Sequence, residues 1–223
     1  MNAFSGLRGE PKGMNVLVAC EESQRVCMAF REKGHNAFSC DILPCSGGHP
    51  EWHIQDDVLN ILDGDCIFTT SDGVDKYITG RWDLIIAHPP CTFLSNAGAR
   101  FLYPKGVLNE ERLAKGMEAK EFFMKFYNAD CDKICIENPI PTKIFALPPY
   151  TQTVQPWMFG HPVQKKTCFW LKGLPPLEAT EIVNERQSTK VVGNWFNHGG
   201  KERQKNRAKT FPGIAKAMAE QWG

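Results

Sequence analysis

Residues 81–91 read R-W-D-L-I-I-A-H-P-P-C, an apolar run that two consecutive prolines end abruptly. A short apolar run with polar flanks is typical of a strand buried inside a sheet. Proline cannot continue the hydrogen-bond ladder of a central strand, so this strand must end near His88. Similar runs predict further buried strands at residues 15–20, 37–41, 133–137 and 166–171.

Helical patterns lie between the predicted strands. Ser23 is a candidate N-cap for a helix that runs to about Lys33 and ends at Gly34. Residues 108–127 combine good helix formers with an apolar stripe, and residues 214–222 predict a closing helix. Strands that alternate with helices predict an α/β fold, with a mostly parallel sheet and helices on both faces.

The composition indicates an ordinary globular protein. With 223 residues and 42% hydrophobic content, the chain is long enough for one domain with one sizeable core. A net charge of +1 is no global signature of nucleic-acid binding, so any polyanion contact must come from local clusters. Nine cysteines, several of them in apolar runs, indicate free thiols in a reducing cytoplasm.

The ends of the chain predict no targeting or membrane segment. Residues 1–13 lack the apolar core of a signal peptide, and no apolar run is long enough to span a bilayer. We expect a disordered tail at residues 1–13 and a single domain at residues 14–223. We further expect a cytoplasmic monomer that does not bind membranes.

Reactive and polar residues collect at the predicted carboxyl ends of the strands, where ligands bind in parallel α/β sheets. These are Glu21, Asp41, residues 89–91 and residues 137–139. Two prolines hold the next residue in a stiff loop, so the Cys91 thiol is positioned as a nucleophile must be. The alternative is a rigid strand exit with an inert cysteine, and a simple turn with an asparagine cap at Glu137-Asn138-Pro139.

H-P-P-C at residues 88–91 and E-N-P at residues 137–139 resemble, in order and spacing, two motifs of the DNA cytosine-5 methyltransferases. That family carries a Pro-Cys nucleophile loop and usually Glu-Asn-Val. The resemblance covers residues 14–171 and the final helix, and is closest to short members of phage or prophage type. It implies a Rossmann-like S-adenosylmethionine-dependent methyltransferase fold, a bacterial host cell and DNA as the partner.

The resemblance implies that Cys91 is the nucleophile and that Glu137 engages ring nitrogen 3 of cytosine. A thiolate attacks carbon 6 of cytosine only if ring nitrogen 3 carries or shares a proton, which a nearby carboxyl group supplies. The addition makes carbon 5 carbanion-like, so that it accepts a methyl group. Loss of the carbon 5 proton and of the thiol then restores the aromatic ring.

The resemblance also implies a pocket for S-adenosylmethionine, although the usual glycine-rich loop is replaced by A-C-E-E-S-Q at residues 19–24. Backbone amides at the helix start would bind instead, with Glu21 orienting the methionine ammonium. Asp41 would bind the ribose and Asp57-Val58 the adenine, unless these acids are ordinary loop residues. The expected cofactor contacts are Cys20, Glu21, Glu22, Ser23, Asp41, Ile42, Asp57, Val58 and Pro89.

Expected substrate contacts surround the nucleophile. Residues 93–100 would close over the base, with Gly98 as a hinge and Arg100 reaching a phosphate. Lys166 follows Gln164 where the family has Gln-x-Arg-x-Arg, and is the candidate third catalytic residue, although lysine does not replace arginine in bidentate contacts. The expected substrate-binding set is Pro90, Ser95, Arg100, Asn138 and Gln164.

Residues 173–209 are the only space for a substrate-recognition region, which is much longer in full-length family members. Aromatic residues at 195–196 followed by alternating basic residues up to Lys209 suit base stacking and phosphate contacts. A solvated loop is the alternative. A duplex target would have to be flipped out of the stack, and the sequence leaves single-stranded DNA or a free nucleotide open as substrates.

Three other interpretations need weighing. Cys40, Cys45, His49 and His53 are zinc-capable residue types, but their spacing matches no common site, and we expect no metal. Amino methyltransferases carry an aromatic residue in the fourth position of the Pro-Pro motif, and Cys91 together with Glu137 argues against them. A catalytically inactive DNA-binding or regulatory relic would explain the missing glycine-rich loop.

Overall fold

The protein is described from a computed structural model, which covers residues 13–188, 206 and 208–223. The elements in chain order are β1 (Asn15–Ala19), α1 (Arg25–Glu32), β2 (Asn36–Asp41), β3 (His53–Gln55), β4 (Cys66–Thr69), β5 (Asp75–Ile78), β6 (Leu84–Ala87), α2 (Glu110–Tyr127), β7 (Ile134–Pro139), β8 (Gln152–Val154), β9 (Val163–Gln164), β10 (Thr167–Lys172), β11 (Gln187–Ser188) and α3 (Pro212–Trp222).

A seven-stranded sheet organises the molecule, in the order β3-β2-β1-β6-β7-β10-β8. The strands from β3 to β7 are parallel, whereas β10 runs antiparallel to both of its neighbours. The order of the first five strands is that of a doubly wound Rossmann sheet. In such a sheet the strands on the two sides of the β1–β6 pair are added in opposite directions, although all five run parallel. The antiparallel β10 between β7 and the edge strand is the arrangement of the Rossmann-like methyltransferase fold. The predicted fold class is therefore confirmed.

Both faces of the sheet are covered, as predicted. Val18 and Ile86 pack with α1 and α3 on one face, while Leu17 and Ile85 pack with α2 on the other. Fully burying one such side chain contributes about 1.5–3 kcal/mol, so strands buried on both faces anchor the sheet. The carboxyl ends of β1, β2, β6 and β7 consequently meet at one rigid edge.

The predicted strands and long helices are confirmed, with shifted bounds. The strand expected from Arg81 begins only at Leu84. Before it, the Trp82 indole donates a hydrogen bond to the Ile61 carbonyl at 2.7 Å. Ser23 does not cap α1, so that prediction is wrong. Gln24 stands at the N-cap position with a left-handed φ of 58° and no side-chain cap hydrogen bond. The β4–β5 hairpin and the short strands β3, β8, β9 and β11 have no counterpart among the predicted elements.

Some expectations concern residues outside the described ones. They are the tail at residues 1–12 and, within the expected recognition region, residues 189–205 and 207 with their aromatic and basic side chains. Among the helices that are described, none combines the length and apolar character needed to cross a bilayer. The nine cysteines, all of them within the described residues, form no disulfide, as the free-thiol prediction required.

Candidate active site

The sheet brings the H-P-P-C and E-N-P segments together. Strands β6 and β7 are parallel with Ala87 opposite Ile136, so His88 and Glu137 follow at adjacent positions. His88 Nδ1 lies 2.6 Å from Glu137 Oε2, and the two side chains are only 10% and 13% exposed. His88 was not among the predicted site residues. Its partner is 49 positions away, and only the pairing of the strands reveals it.

Asn138 fixes the approach to Cys91. Its side-chain amide is buried and donates to the Pro89 carbonyl at 3.1 Å, which ties the two prolines to β7. The Cys91 carbonyl in turn accepts from the Ser95 amide at 2.9 Å, so a tight turn begins at the cysteine. The thiol-bearing residue is half-buried. The loop that follows is tied to the end of β7 by a second bond, from the Asn96 amide to the Ile140 carbonyl at 2.8 Å.

His88 and Glu137 form a charged pair. Burial alone would lower the pKa of His88, but the hydrogen bond and charge of Glu137, with the charge of Glu21, raise it above its usual value. Burial would raise the pKa of Glu137, but the hydrogen bond and charge of His88, with the charge of Lys165, hold it below its usual value. Each side chain therefore favours the charged form of the other.

Two buried polar atoms at these strand ends have no partner. His88 Nε2 and Asn138 Oδ1 are buried without a hydrogen bond to any described residue. Leaving such an atom unsatisfied costs about 1–3 kcal/mol. Because both atoms belong to residues at the ligand-binding edge of the sheet, they indicate that a polar ligand completes the site.

Glu21 occupies the start of α1. Its side chain is 4% exposed, and its two oxygens accept from the Val26 amide at 2.8 Å and the Cys27 amide at 3.2 Å. Glu21 thus caps the helix in place of Ser23, which is itself buried. These two amides belong to the helix start, where the sequence analysis expected backbone amides to bind the cofactor. In the structure they bind Glu21. Burial raises the pKa of Glu21, and the charge of His88 partly offsets this.

The remaining cofactor candidates lie side by side at the same edge. Cys20 has a left-handed φ of 60°, and its amide donates to the Cys40 carbonyl at 2.7 Å. Burial raises the pKa of the Cys20 thiol, and the charges of Asp41 and Asp57 add to this shift. Both carboxylates therefore lie near the end of β1, where the Cys20 thiol is unreactive.

Asp41 and Asp57 also organise their own loops. An Asp41 oxygen accepts from the Leu43 amide at 2.9 Å, and Asp57 caps a short helical turn by accepting from the Leu59 amide at 3.0 Å. Burial raises the pKa of Asp41, which is only partly screened from solvent. Ile42 beside it is 73% exposed, whereas Val58 is buried.

Lys165, next to the predicted Lys166, places its charge beside Glu137. Lys165 is half-buried and its charge lowers the pKa of Glu137, while Lys166 is exposed and acts on Cys168 instead. Gln164, in β9, is exposed. The difference between the two lysines follows from the start of β10 at Thr167, because neighbouring residues of an extended segment point to opposite sides.

The four zinc-capable residues do not converge. The His53 ring lies between the Ser39 hydroxyl and the Leu43 carbonyl, both at 2.9 Å, while the Cys40 thiol donates to the Asp56 carbonyl. His49 instead stacks on Trp52 with ring centroids 3.9 Å apart. Within the described part of the chain, no three His, Cys, Asp or Glu residues are arranged to hold a metal ion.

Comparisons with known proteins add little. No family model matches the chain, and no curated protein matches it. Among solved structures, a protein described as a DNA modification methyltransferase encoded within an E. coli prophage is similar at 14% identity and a TM-score of 0.41. The similarity covers 80% of this chain and 53% of that one, so the chain spans about half of its length.

Proposed function

We propose that this chain transfers a methyl group from S-adenosylmethionine to carbon 5 of cytosine in DNA, with Cys91 as a covalent nucleophile. The observation that carries the proposal is the meeting of the Cys91 loop and Glu137 at the ends of two adjacent parallel strands. Both lie at the edge where ligands bind in such sheets. The order of the strands supports the same class of enzyme.

The residues at the ends of β1 and β2 fit S-adenosylmethionine. Asp41 and Asp57 offer carboxylates for hydroxyl and amino groups, and the exposed Ile42 offers an apolar surface for an adenine ring. Glu21 holds the start of α1 in place, while Cys20, Glu22, Ser23, Val58 and Pro89 remain further candidate contacts. When bound, the cofactor supplies an electrophilic methyl group.

Cys91 and Glu137 divide the work on the pyrimidine. The Cys91 sulfur adds to carbon 6, and Glu137 engages ring nitrogen 3, so that the negative charge of the addition is not left on the ring. Asn138 holds the Pro89 carbonyl and thereby sets the position of Cys91 relative to Glu137. Lys165, and in second place Lys166, supplies positive charge beside this pair.

The loop after Cys91 suits a nucleic acid. Phe101 and Tyr103 are 51% and 49% exposed, and the guanidinium groups of Arg100 and Arg112 lie 4.6 and 5.4 Å from the Phe101 ring centroid. Exposed aromatic rings stack on bases, and arginines beside them bind phosphates. Buried Ser95 and exposed Pro90 flank the nucleophile within the same loop.

The domain organisation is part of the proposal. Residues 14–223 form one methyltransferase domain, in which residues 173–209 recognise the substrate. The protein acts as a monomer on DNA in the cytoplasm of a bacterial host. A flipped base or a single strand reaches the Cys91 loop without changes in the central sheet.

Nucleoside analysis tests the activity. DNA is incubated with the protein and S-adenosylmethionine and then digested to nucleosides. The nucleosides are separated by liquid chromatography and identified by mass spectrometry, and we expect 5-methylcytosine. Cys91→Ala should abolish this product, whereas Cys45→Ala, at another half-buried cysteine, should leave its yield unchanged. A product methylated on an amino group of cytosine or adenine would refute the proposal, and so would 5-methylcytosine made by Cys91→Ala.

A further inference from the structure

His88 occupies the point in the sheet where a ligand-binding crevice opens. The strand order reverses between β1 and β6, and ligands of doubly wound sheets bind outside the strand ends at that reversal. His88 is the first residue after β6, and its amide donates to the Ala19 carbonyl at the end of β1 at 2.9 Å. His88 therefore lies between the end of β1, which carries candidate cofactor contacts, and the Cys91 loop.

Glu137 alone cannot supply the proton that the proposed reaction needs. Addition of sulfur to carbon 6 requires a proton at ring nitrogen 3, but the pKa of Glu137 is held below its usual value. An ionised carboxylate accepts a proton and has none to give. His88 Nδ1 lies 2.6 Å from Glu137 Oε2, so a protonated His88 can donate to this carboxylate.

We propose that His88 stores this proton and delivers it through Glu137 to ring nitrogen 3 of the target cytosine. The inference rests on the proposed function. His88 itself does not touch the pyrimidine, so it is a positioning residue that acts through Glu137. The arrangement is a relay in which the carboxylate first receives the imidazolium proton and then passes it on.

The step balances in atoms and electrons. As the bond between the Cys91 sulfur and carbon 6 forms, the π pair between carbons 5 and 6 moves to the bond between carbons 4 and 5. The π pair between carbon 4 and nitrogen 3 becomes the new N–H bond. The Nδ1 proton of His88 passes to Glu137 Oε2, and the carboxyl group passes this same proton on to nitrogen 3, so that Glu137 ends ionised and His88 neutral. When sulfur leaves, nitrogen 3 returns its proton along the same path.

Three charged groups face the His88 imidazole. Glu137 on β7 and Glu21 in the loop after β1 favour its protonation, and Lys165 before β10 opposes it. Glu21 is fixed by its two bonds to the start of α1, so its charge cannot move away. Nε2 meanwhile lacks a described partner, which leaves the second N–H of the ring for water or a ligand.

Nitrogen NMR tests the charge of His88 without any reaction. In the cofactor-free protein labelled at its imidazole nitrogens, we expect His88 to be an imidazolium at pH 7, titrating above about 6.5, the value of an unperturbed histidine. Glu137→Gln should lower that titration midpoint. A His88 titration midpoint at or below about 6.5 would overturn the relay whatever the activity shows.

Single-turnover kinetics test the delivery of the proton. His88→Asn keeps an N–H where Nδ1 stands but cannot release it, so methyl transfer should slow about 100- to 10,000-fold. In the wild type the rate should fall as pH rises through the His88 titration, and this alkaline decline should be absent from His88→Asn. Binding of DNA and cofactor by His88→Asn should stay unchanged. The kinetics of His35→Asn should also stay unchanged, because His35 lies just before β2, at the amino ends of the strands.

The possible failures are distinguishable. Wild-type rate and alkaline decline in His88→Asn would overturn the relay but leave the Cys91 nucleophile intact. Failure of the wild type to make any 5-methylcytosine would overturn the proposed function and the relay with it. If His88→Asn does not fold, His88→Gln and the wild-type NMR titration decide the matter.

Discussion

At the scale of single residues, the Asn138 amide is the contact that joins the nucleophile loop to the neighbouring strand. The side chain is 2% exposed, so its bond to the Pro89 carbonyl has no competition from solvent. Two prolines make the segment stiff, and one fixed carbonyl is therefore enough to set the position of Cys91 two residues later. The stiffness and the single anchor together define the geometry of attack.

We expect Asn138→Ala to reduce both the rate of methyl transfer and the stability of the fold. Losing the buried hydrogen bond should cost about 1–3 kcal/mol of unfolding free energy, and a misplaced nucleophile about 100-fold in rate. Asn109→Ala is the matched control, because Asn109 caps α2 by accepting from the Arg112 amide at 2.9 Å. That variant should lose about 1 kcal/mol of stability but keep its single-turnover rate. Equal rates in the two variants would argue against the anchor.

The His88–Glu137 pair predicts a dependence of stability on pH. Glu137 has a lowered pKa, so its contribution is present above about pH 4.3 and lost as pH falls through its folded value. His88 has a raised pKa, so its contribution is present below about pH 6.5 and lost as pH rises through its folded value.

The difference in unfolding free energy between wild type and His88→Asn should therefore peak between about pH 4.3 and 6.5 and shrink on both sides. Urea denaturation at a series of pH values measures it. A difference that does not shrink at pH values below and above this range would mean that the two side chains are not a charged pair in the folded protein.

At the scale of elements, the loop between β6 and α2 carries the surface proposed to meet DNA. The Arg100 and Arg112 guanidinium groups both lie over the Phe101 ring, and Arg112 also donates to the Thr92 carbonyl at 3.0 Å. Arg112, in the first turn of α2, is thus bonded to the loop, and the Phe101 ring stays half-exposed. An aromatic ring held among cations is prepared for a base and its phosphate.

Phe101→Ala should weaken DNA binding by about 1–3 kcal/mol, the range for loss of one base–aromatic stack. Fluorescence anisotropy with a labelled oligonucleotide, at a fixed salt concentration, measures this loss. Tyr77→Ala removes a ring that is 75% exposed on the β4–β5 hairpin, and it should leave the affinity unchanged. Equal losses in the two variants would place the DNA elsewhere.

At the scale of the whole molecule, the central sheet was predictable because its strands are buried on both faces. Runs such as L-I-I-A in β6 leave little ambiguity, and alternation with helices sets the parallel order. The ligand edge followed from the same rule, since strand ends carry Asp41, Cys91 and Glu137. Short elements such as the three-residue β8 have no comparable pattern.

What the sequence could not supply are contacts between distant segments. His88 pairs with a residue 49 positions away, and its charge depends on burial that no local pattern encodes. Glu21, and not the expected Ser23, caps α1, and the intervening Gln24 has a left-handed φ that no local pattern predicts. Lys165 rather than Lys166 faces Glu137 because of where β10 begins.

Covalent trapping tests the central claim most directly. Fluorine at carbon 5 of the target cytosine blocks the final elimination, so the enzyme should stay bonded to the oligonucleotide when S-adenosylmethionine is present. Intact-mass analysis should find a complex equal to protein plus oligonucleotide plus one methyl group for the wild type and Cys45→Ala, and none for Cys91→Ala. Methylation of ordinary DNA without any trapped complex, or a complex that survives Cys91→Ala, would contradict the account.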